Sequence, residues 1–112
     1  MKVIITPFAQ QQINKTARYI QQEFGKNHRR NFIQSVRETK RLLAVNSYLG
    51  PIEPYLSGQP KTYRSIVVAR LNKIIYRIES ERIDVVDFWD CRREPEKQAA
   101  QTIARDDGTE PQ

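Results

Sequence analysis

Two apolar runs at helical spacing meet at Gly25, and their closeness limits the chain more than any other feature. Ala9, Ile13, Ala17, Ile20 and Phe24 recur at intervals of four and three. Beyond the glycine, Phe32, Val36, Thr39 and Leu43, flanked by Ile33 and Leu42, carry the same period to about Val45. Thr6 and Pro7 supply an N-cap and a first-turn proline for the first helix. Gly25 suits a left-handed C-cap, and Asn27 can cap the second helix. So short a connection forces an antiparallel helical hairpin, whose two apolar stripes must find a surface to cover.

The rest of the chain offers that surface as a sheet. Residues 2–6 (KVIIT) are short and β-branched, which predicts a strand ending at Thr6-Pro7. Gly50, Pro51, Pro54, Gly58 and Pro60 break regular structure through residues 46–62. Tyr48, Leu49, Ile52, Tyr55 and Leu56 punctuate that loop and should pin it to the body. Residues 63–70, 73–79 and 83–89 then alternate with period two and read as an antiparallel meander. A tight turn at Arg70-Leu71 would set Arg64 opposite Arg77, Ile66 opposite Ile75 and Val68 opposite Lys73. One face of the sheet would then be cationic. The other would carry Tyr63, Val67, Ile74, Tyr76, Ile78, Val86 and Phe88 beneath the hairpin.

Pro95 can open a short helix running to Ala104. The fold class expected is α+β: an antiparallel sheet, mixed through its N-terminal strand, with a helical hairpin packed on one face and a short C-terminal helix. Residues 1–105 form one domain, and the polar stretch 106–112 is expected to fray.

Composition narrows the function classes. No apolar run approaches the ~20 residues of a bilayer crossing, and MKVIITPF lacks the apolar core of a secretory signal. No membrane role and a cytoplasmic location are therefore expected. Cys91 is the single cysteine, so it forms no internal disulfide and is expected to stay reduced. The formal charge of +6 is unevenly spread. Seven basic residues between positions 18 and 41 face only Glu23 and Glu38, and six between 61 and 82 face Glu79 and Glu81. From residue 83 the acids outnumber the bases. The first block reads either as a solvated helix face or as a surface for nucleic acid or an acidic protein segment.

No phosphate-binding glycine loop, zinc-protease motif, metal-ligand cluster or nucleophile elbow is present. His28 sits beside a basic helix start and reads as a solvated side chain. On the expected register Arg64, Lys73 and Arg77 share a face with Arg93, an arrangement that could grip one or two phosphates. Solvation of an open sheet face, or pairing with Asp87 and Asp90, is the competing reading of the same residues.

The order strand, helical hairpin, breaker-rich loop, meander and short helix, with Tyr63-Arg64, the KIIYRIE run and the FWDCRREP run, resembles the RelE/ParE toxin superfamily over about residues 1–100. That resemblance implies the toxin of a type II toxin–antitoxin system, of the plasmid-stabilisation kind, which arrests growth unless a cognate antitoxin neutralises it. It implies no cofactor and no metal. Its members include poisons of DNA gyrase and ribosome-dependent mRNA endonucleases. Against the nuclease pattern, Arg64, Lys73 and Arg93 fall on basic positions that grip RNA phosphate, while a strand lysine falls on Ile66 and a C-terminal tyrosine on Ala99. Those departures favour gyrase poisoning over RNA cleavage. A non-toxic binding module that uses the basic helices as its interface is a third reading. The residues expected to meet a target are Arg77, Trp89 and Arg92, with Arg30, Arg37 and Arg41 expected to hold the antitoxin.

Overall fold

The computed structural model describes residues 1–106. Strand β1 (Lys2–Ile5) leads into helix α1 (Pro7–Phe24), followed by α2 (Lys26–Val45), β2 (Arg64–Val68), β3 (Asn72–Ile78), β4 (Arg82–Asp90) and α3 (Pro95–Asp106). The sheet order is β1-β4-β3-β2, with β1 parallel to β4 and the remaining pairs antiparallel. The expected α+β architecture is the one observed.

α1 begins as its sequence dictates. The Thr6 hydroxyl accepts the Ala9 N–H at 3.3 Å, and Pro7 opens the first turn, an arrangement typically worth about 1 kcal/mol. Gly25 has φ +94°, open to glycine at little cost, and joins the helices without a spacer. Asn27 does not cap α2: the helix starts two residues earlier, at Lys26, with Gly25 as its cap and no side-chain cap bond.

The hairpin buries Ala9, Ile13, Ala17, Phe32, Val36 and Leu43 against Val68, Ile74, Tyr76, Ile83, Val85 and Phe88. A second, smaller core occupies the opposite face, where α3 lays Ala99 and Ile103 over Tyr63, Ile75, Val86 and Trp89, with Leu56 from the loop. The sheet is thus covered on both faces. Tyr63 and Val86, expected beneath the hairpin, belong to this second core; Val67 also points away from the hairpin and is 55% exposed.

The register departs from expectation by one residue. Arg64 pairs with Tyr76, Ile66 with Ile74 and Val68 with Asn72. The loop has three residues, Ala69 to Leu71, and Ala69 and Arg70 adopt positive φ (52° and 70°) despite their side chains. Two contacts fix it: Leu71 N–H donates to Ala69 O at 2.8 Å, and the buried Asn72 amide donates to Trp89 O at 3.1 Å. The slip puts Ile66 and Val68 on the hairpin side with Ile74 and Tyr76. A bulge between Ile75 and Tyr76 in the β3–β4 pairing lets Val86 and Asp87 both serve the second face.

Loop 46–62 is anchored, as expected. Ile52 bridges Arg64, and Pro54–Leu56 form a short 3-10 turn. The Tyr76 hydroxyl sits beneath it, accepting the Gly50 N–H and donating to Ser47 O, both at 2.9 Å. α3 reaches Asp106, two residues beyond expectation. Asp106, the first residue of the stretch expected to fray, instead ends α3 and is held there by Arg77; the rest of that stretch, 107–112, lies outside the described residues.

Candidate functional site

Because side chains alternate along a strand, the one-residue slip separates the expected cationic cluster. Arg64 falls on the hairpin side, its guanidinium donating to Gly50 O at 2.9 Å and lying 4.7 Å from the centre of the Tyr48 ring. Lys73 and Arg77 fall on the opposite face. Arg64 therefore does not converge with them, and the phosphate grip expected of the three together is not assembled.

Each cation left on that second face has an internal carboxylate. Lys73 lies 2.8 Å from Glu53, whose side chain is fully buried and also accepts the Ser65 hydroxyl and the Tyr55 N–H. Burial alone would raise the Glu53 pKa; these three donors outweigh it and hold the carboxyl below its ordinary range. Arg77 bonds Asp106 through two nitrogens at 2.7 and 3.0 Å and also reaches Glu79. Tyr63 and Lys61 complete the cradle around Asp106. Its pKa, which burial would raise, is lowered by Arg77 and Tyr63.

The other expected residues are dispersed. Trp89, expected to face a target, is 3% exposed and donates its indole N–H to Thr102, so it belongs to the α3 packing. Arg92 is on the surface and pairs with Asp90 at 3.1 Å. Arg93 is exposed in the turn before α3, beside a shallow cleft of about 270 Å³ that it lines with Glu94, Lys97, Gln98 and Gln101. Ala99 is buried. His28 is exposed beside the Phe24 ring, as its solvated reading required. Asp87 is buried with its oxygens on the Phe88 N–H and the Thr102 hydroxyl; burial pushes its pKa up in spite of these bonds.

The hairpin surface is different. α1 and α2 carry eight Lys and Arg against Glu23 and Glu38, a surplus equal to the formal +6 of the whole chain. Arg41 is tied to Glu38 at 2.6 Å. Arg30 and Arg37 instead line a cleft of about 220 Å³ with Lys26, Arg29, Gln21, Ile33 and Gln34. Among the described residues, these four cations have no ion-pair partner; Arg29 donates to the neutral Gln21 amide at 2.7 Å. Sequence reasoning placed Arg29 on the same basic outer face but assigned a partner only to Arg30 and Arg37 here, and it passed over Lys26, although all four stand in one basic block. It also missed Glu53, Thr102 and Asp106, which lie in a breaker-rich loop, mid-helix and at a helix end.

Fold and surface together define a small α+β protein that gathers four cations, Lys26, Arg29, Arg30 and Arg37, in one cleft of its helical hairpin. Among the described residues there is no group of three or more His, Cys, Asp or Glu that could hold a metal, and no helix long and apolar enough to cross a membrane. The family model of the ParE toxin of the type II toxin–antitoxin system parDE matches residues 3–95, and the chain belongs to that family. A solved structure described as the chromosomal ParDE toxin–antitoxin system from P. aeruginosa superposes with a TM-score of 0.66 at 16% identity. The match covers 80% of this chain and 95% of that one, a likeness of fold. No curated protein sequence matches the chain.

Proposed function

We propose that this ParE-family toxin arrests growth by poisoning DNA gyrase and that a cognate antitoxin restrains it. The observation that carries the choice of target is the neutralisation of Lys73 by Glu53, with Arg64 turned to the other side of the sheet. RNA cleavage through the 2′-hydroxyl needs a base for that hydroxyl, positive charge at the phosphorus oxygens and an acid for the leaving oxygen. Here Lys73 is already bonded to a carboxylate, and the position where the nuclease pattern has a tyrosine is the buried Ala99. Both features support a toxin that binds its target rather than one that cuts RNA. Gyrase acts in the cytoplasm, so a cytoplasmic location accompanies the proposal.

Arg93 supports the second reading, a ribosome-dependent endonuclease, because it remains exposed beside Glu94. On that reading Arg93→Ala lowers the cleavage rate by at least about tenfold. The test is purified protein assayed side by side on gyrase and on ribosome-bound mRNA. Inhibited supercoiling with intact mRNA supports gyrase poisoning; cut mRNA with unaffected gyrase overturns it. Induced expression that leaves growth unchanged would instead favour a non-toxic binding module.

A further inference from the structure

We infer that the cleft between the end of α1 and the first half of α2 is a docking site for the phosphate backbone of duplex DNA. The inference rests on the gyrase reading in one respect: it names the DNA that gyrase holds as something the toxin itself touches. Its physical basis is the contrast between the two cationic surfaces of the molecule. On the sheet face Lys61, Lys73 and Arg77 are bonded to internal carboxylates, and Arg82 and Arg92 likewise pair with Asp84 and Asp90. In the hairpin cleft Lys26, Arg29, Arg30 and Arg37 converge with no carboxylate among the lining side chains.

The geometry suits a regular polyanion. At ~100° per residue, Lys26, Arg30 and Arg37 fall within about 40° of one another on α2, spread along about 16 Å of its axis. A helix holds such charges in a straight, stiff row, as a duplex holds the phosphates of each strand ~3.4 Å apart along its axis. The Arg29 guanidinium is braced by Gln21, which reduces the freedom lost when it meets a phosphate oxygen. Guanidinium groups can also meet a phosphate through two parallel bonds.

Two alternative occupants fit less well. An amphipathic acidic segment gains much of its affinity from apolar anchors seated in pockets, and Ile33 is the one apolar side chain lining this cleft. Single-stranded RNA is held largely by stacking its bases on aromatic rings, and no ring lines the cleft. Backbone phosphate is what remains, with binding dominated by charge and independent of sequence.

The test measures binding of a fluorescent DNA duplex to the full chain across a salt series, for the wild type, for Arg30→Ala/Arg37→Ala and for Arg82→Ala as a control whose guanidinium is already paired with Asp84. The wild type should bind with a steep salt dependence. The double variant should lose at least about tenfold in affinity, with its log–log salt slope smaller by about two. Arg82→Ala should bind like the wild type. Both arginines are exposed on α2, and matching thermal melts would show that the variants fold. Equal duplex binding by wild type and double variant overturns the inference, as does tighter cleft-dependent binding of single-stranded RNA or of an acidic peptide at the same salt. Gyrase inhibition that survives in the double variant with duplex binding unaltered sinks this inference alone. Cleft-dependent duplex binding by a protein that leaves gyrase active sinks the gyrase reading and keeps the cleft.

Discussion

The ammonium of Lys73 lies 2.8 Å from the carboxylate of Glu53, joining the middle of the sheet to a loop that begins after α2. The two ends of the pair differ: the Lys73 side chain is 27% exposed and that of Glu53 is fully buried. Removing the lysine therefore strands a buried charge, whereas removing the acid leaves an ammonium that water can reach. Lys73→Met should destabilise by about 3 kcal/mol, the low end for breaking a buried pair. Glu53→Gln keeps an acceptor for Ser65 or Tyr55 and should cost about 1–2 kcal/mol. Chemical denaturation of the two variants checks the order, which a surface-type pair would not show.

Gly50 should tolerate no side chain. An added Cβ would lie 2.3 Å from Ser65 O and 3.1 Å from the Tyr76 ring. Backbone cannot swing aside as a flexible side chain can, so the loop must lift away from β2. Gly50→Ala should then lose about 1–3 kcal/mol, and the Ser47 and Gly50 bonds to Tyr76 should weaken with it. Hydrogen exchange at Gly50 reports that loosening directly.

Asp87 and Asp106 should respond to pH in opposite senses. The pKa of Asp87 is raised, with burial the main cause, so its contribution is fully present below the ordinary carboxylate range near ~4 and is lost as pH rises through its folded pKa. Asp87→Asn mimics the protonated form. Its melting temperature should exceed that of the wild type at neutral pH, and the difference should shrink towards zero in acid. A variant less stable than the wild type at neutral pH would contradict this sign.

Asp106 has a lowered pKa, because Arg77 and Tyr63 outweigh its burial. Its contribution is present above the ordinary range and is lost as pH falls through the folded value. Asp106→Asn should cost about 1.5–3 kcal/mol at neutral pH, as for bonds to charged groups. The gap from the wild type should close in acid. Exchange protection should fall first in the last turn of α3, where the Arg77 bonds are lost.

Local chemistry made much of this fold readable. Thr6-Pro7 marks the start of α1, and Gly25 leaves too little chain for anything but a hairpin. The register was not readable, because it depends on two non-glycine residues, Ala69 and Arg70, taking positive φ. Nothing in their side chains signals that choice; it is imposed by burying Ile66 and Val68 beneath the hairpin and by the Asn72 bond to Trp89. The second core was hidden for another reason: α3 contributes only Ala99 and Ile103 to it and docks largely through polar bonds such as Thr102 to Asp87. The expected cationic site failed with the register. The hairpin charge was visible from the start, but only the structure distinguishes cations that have internal partners from those that do not.

Gyrase poisoning is measured by adding purified protein to a supercoiling reaction and following cleaved gyrase–DNA complexes alongside. The toxin should inhibit supercoiling and make cleaved complexes accumulate, both effects being relieved by the cognate antitoxin. Normal supercoiling with no cleaved complexes, from protein that arrests growth when expressed, would contradict gyrase poisoning.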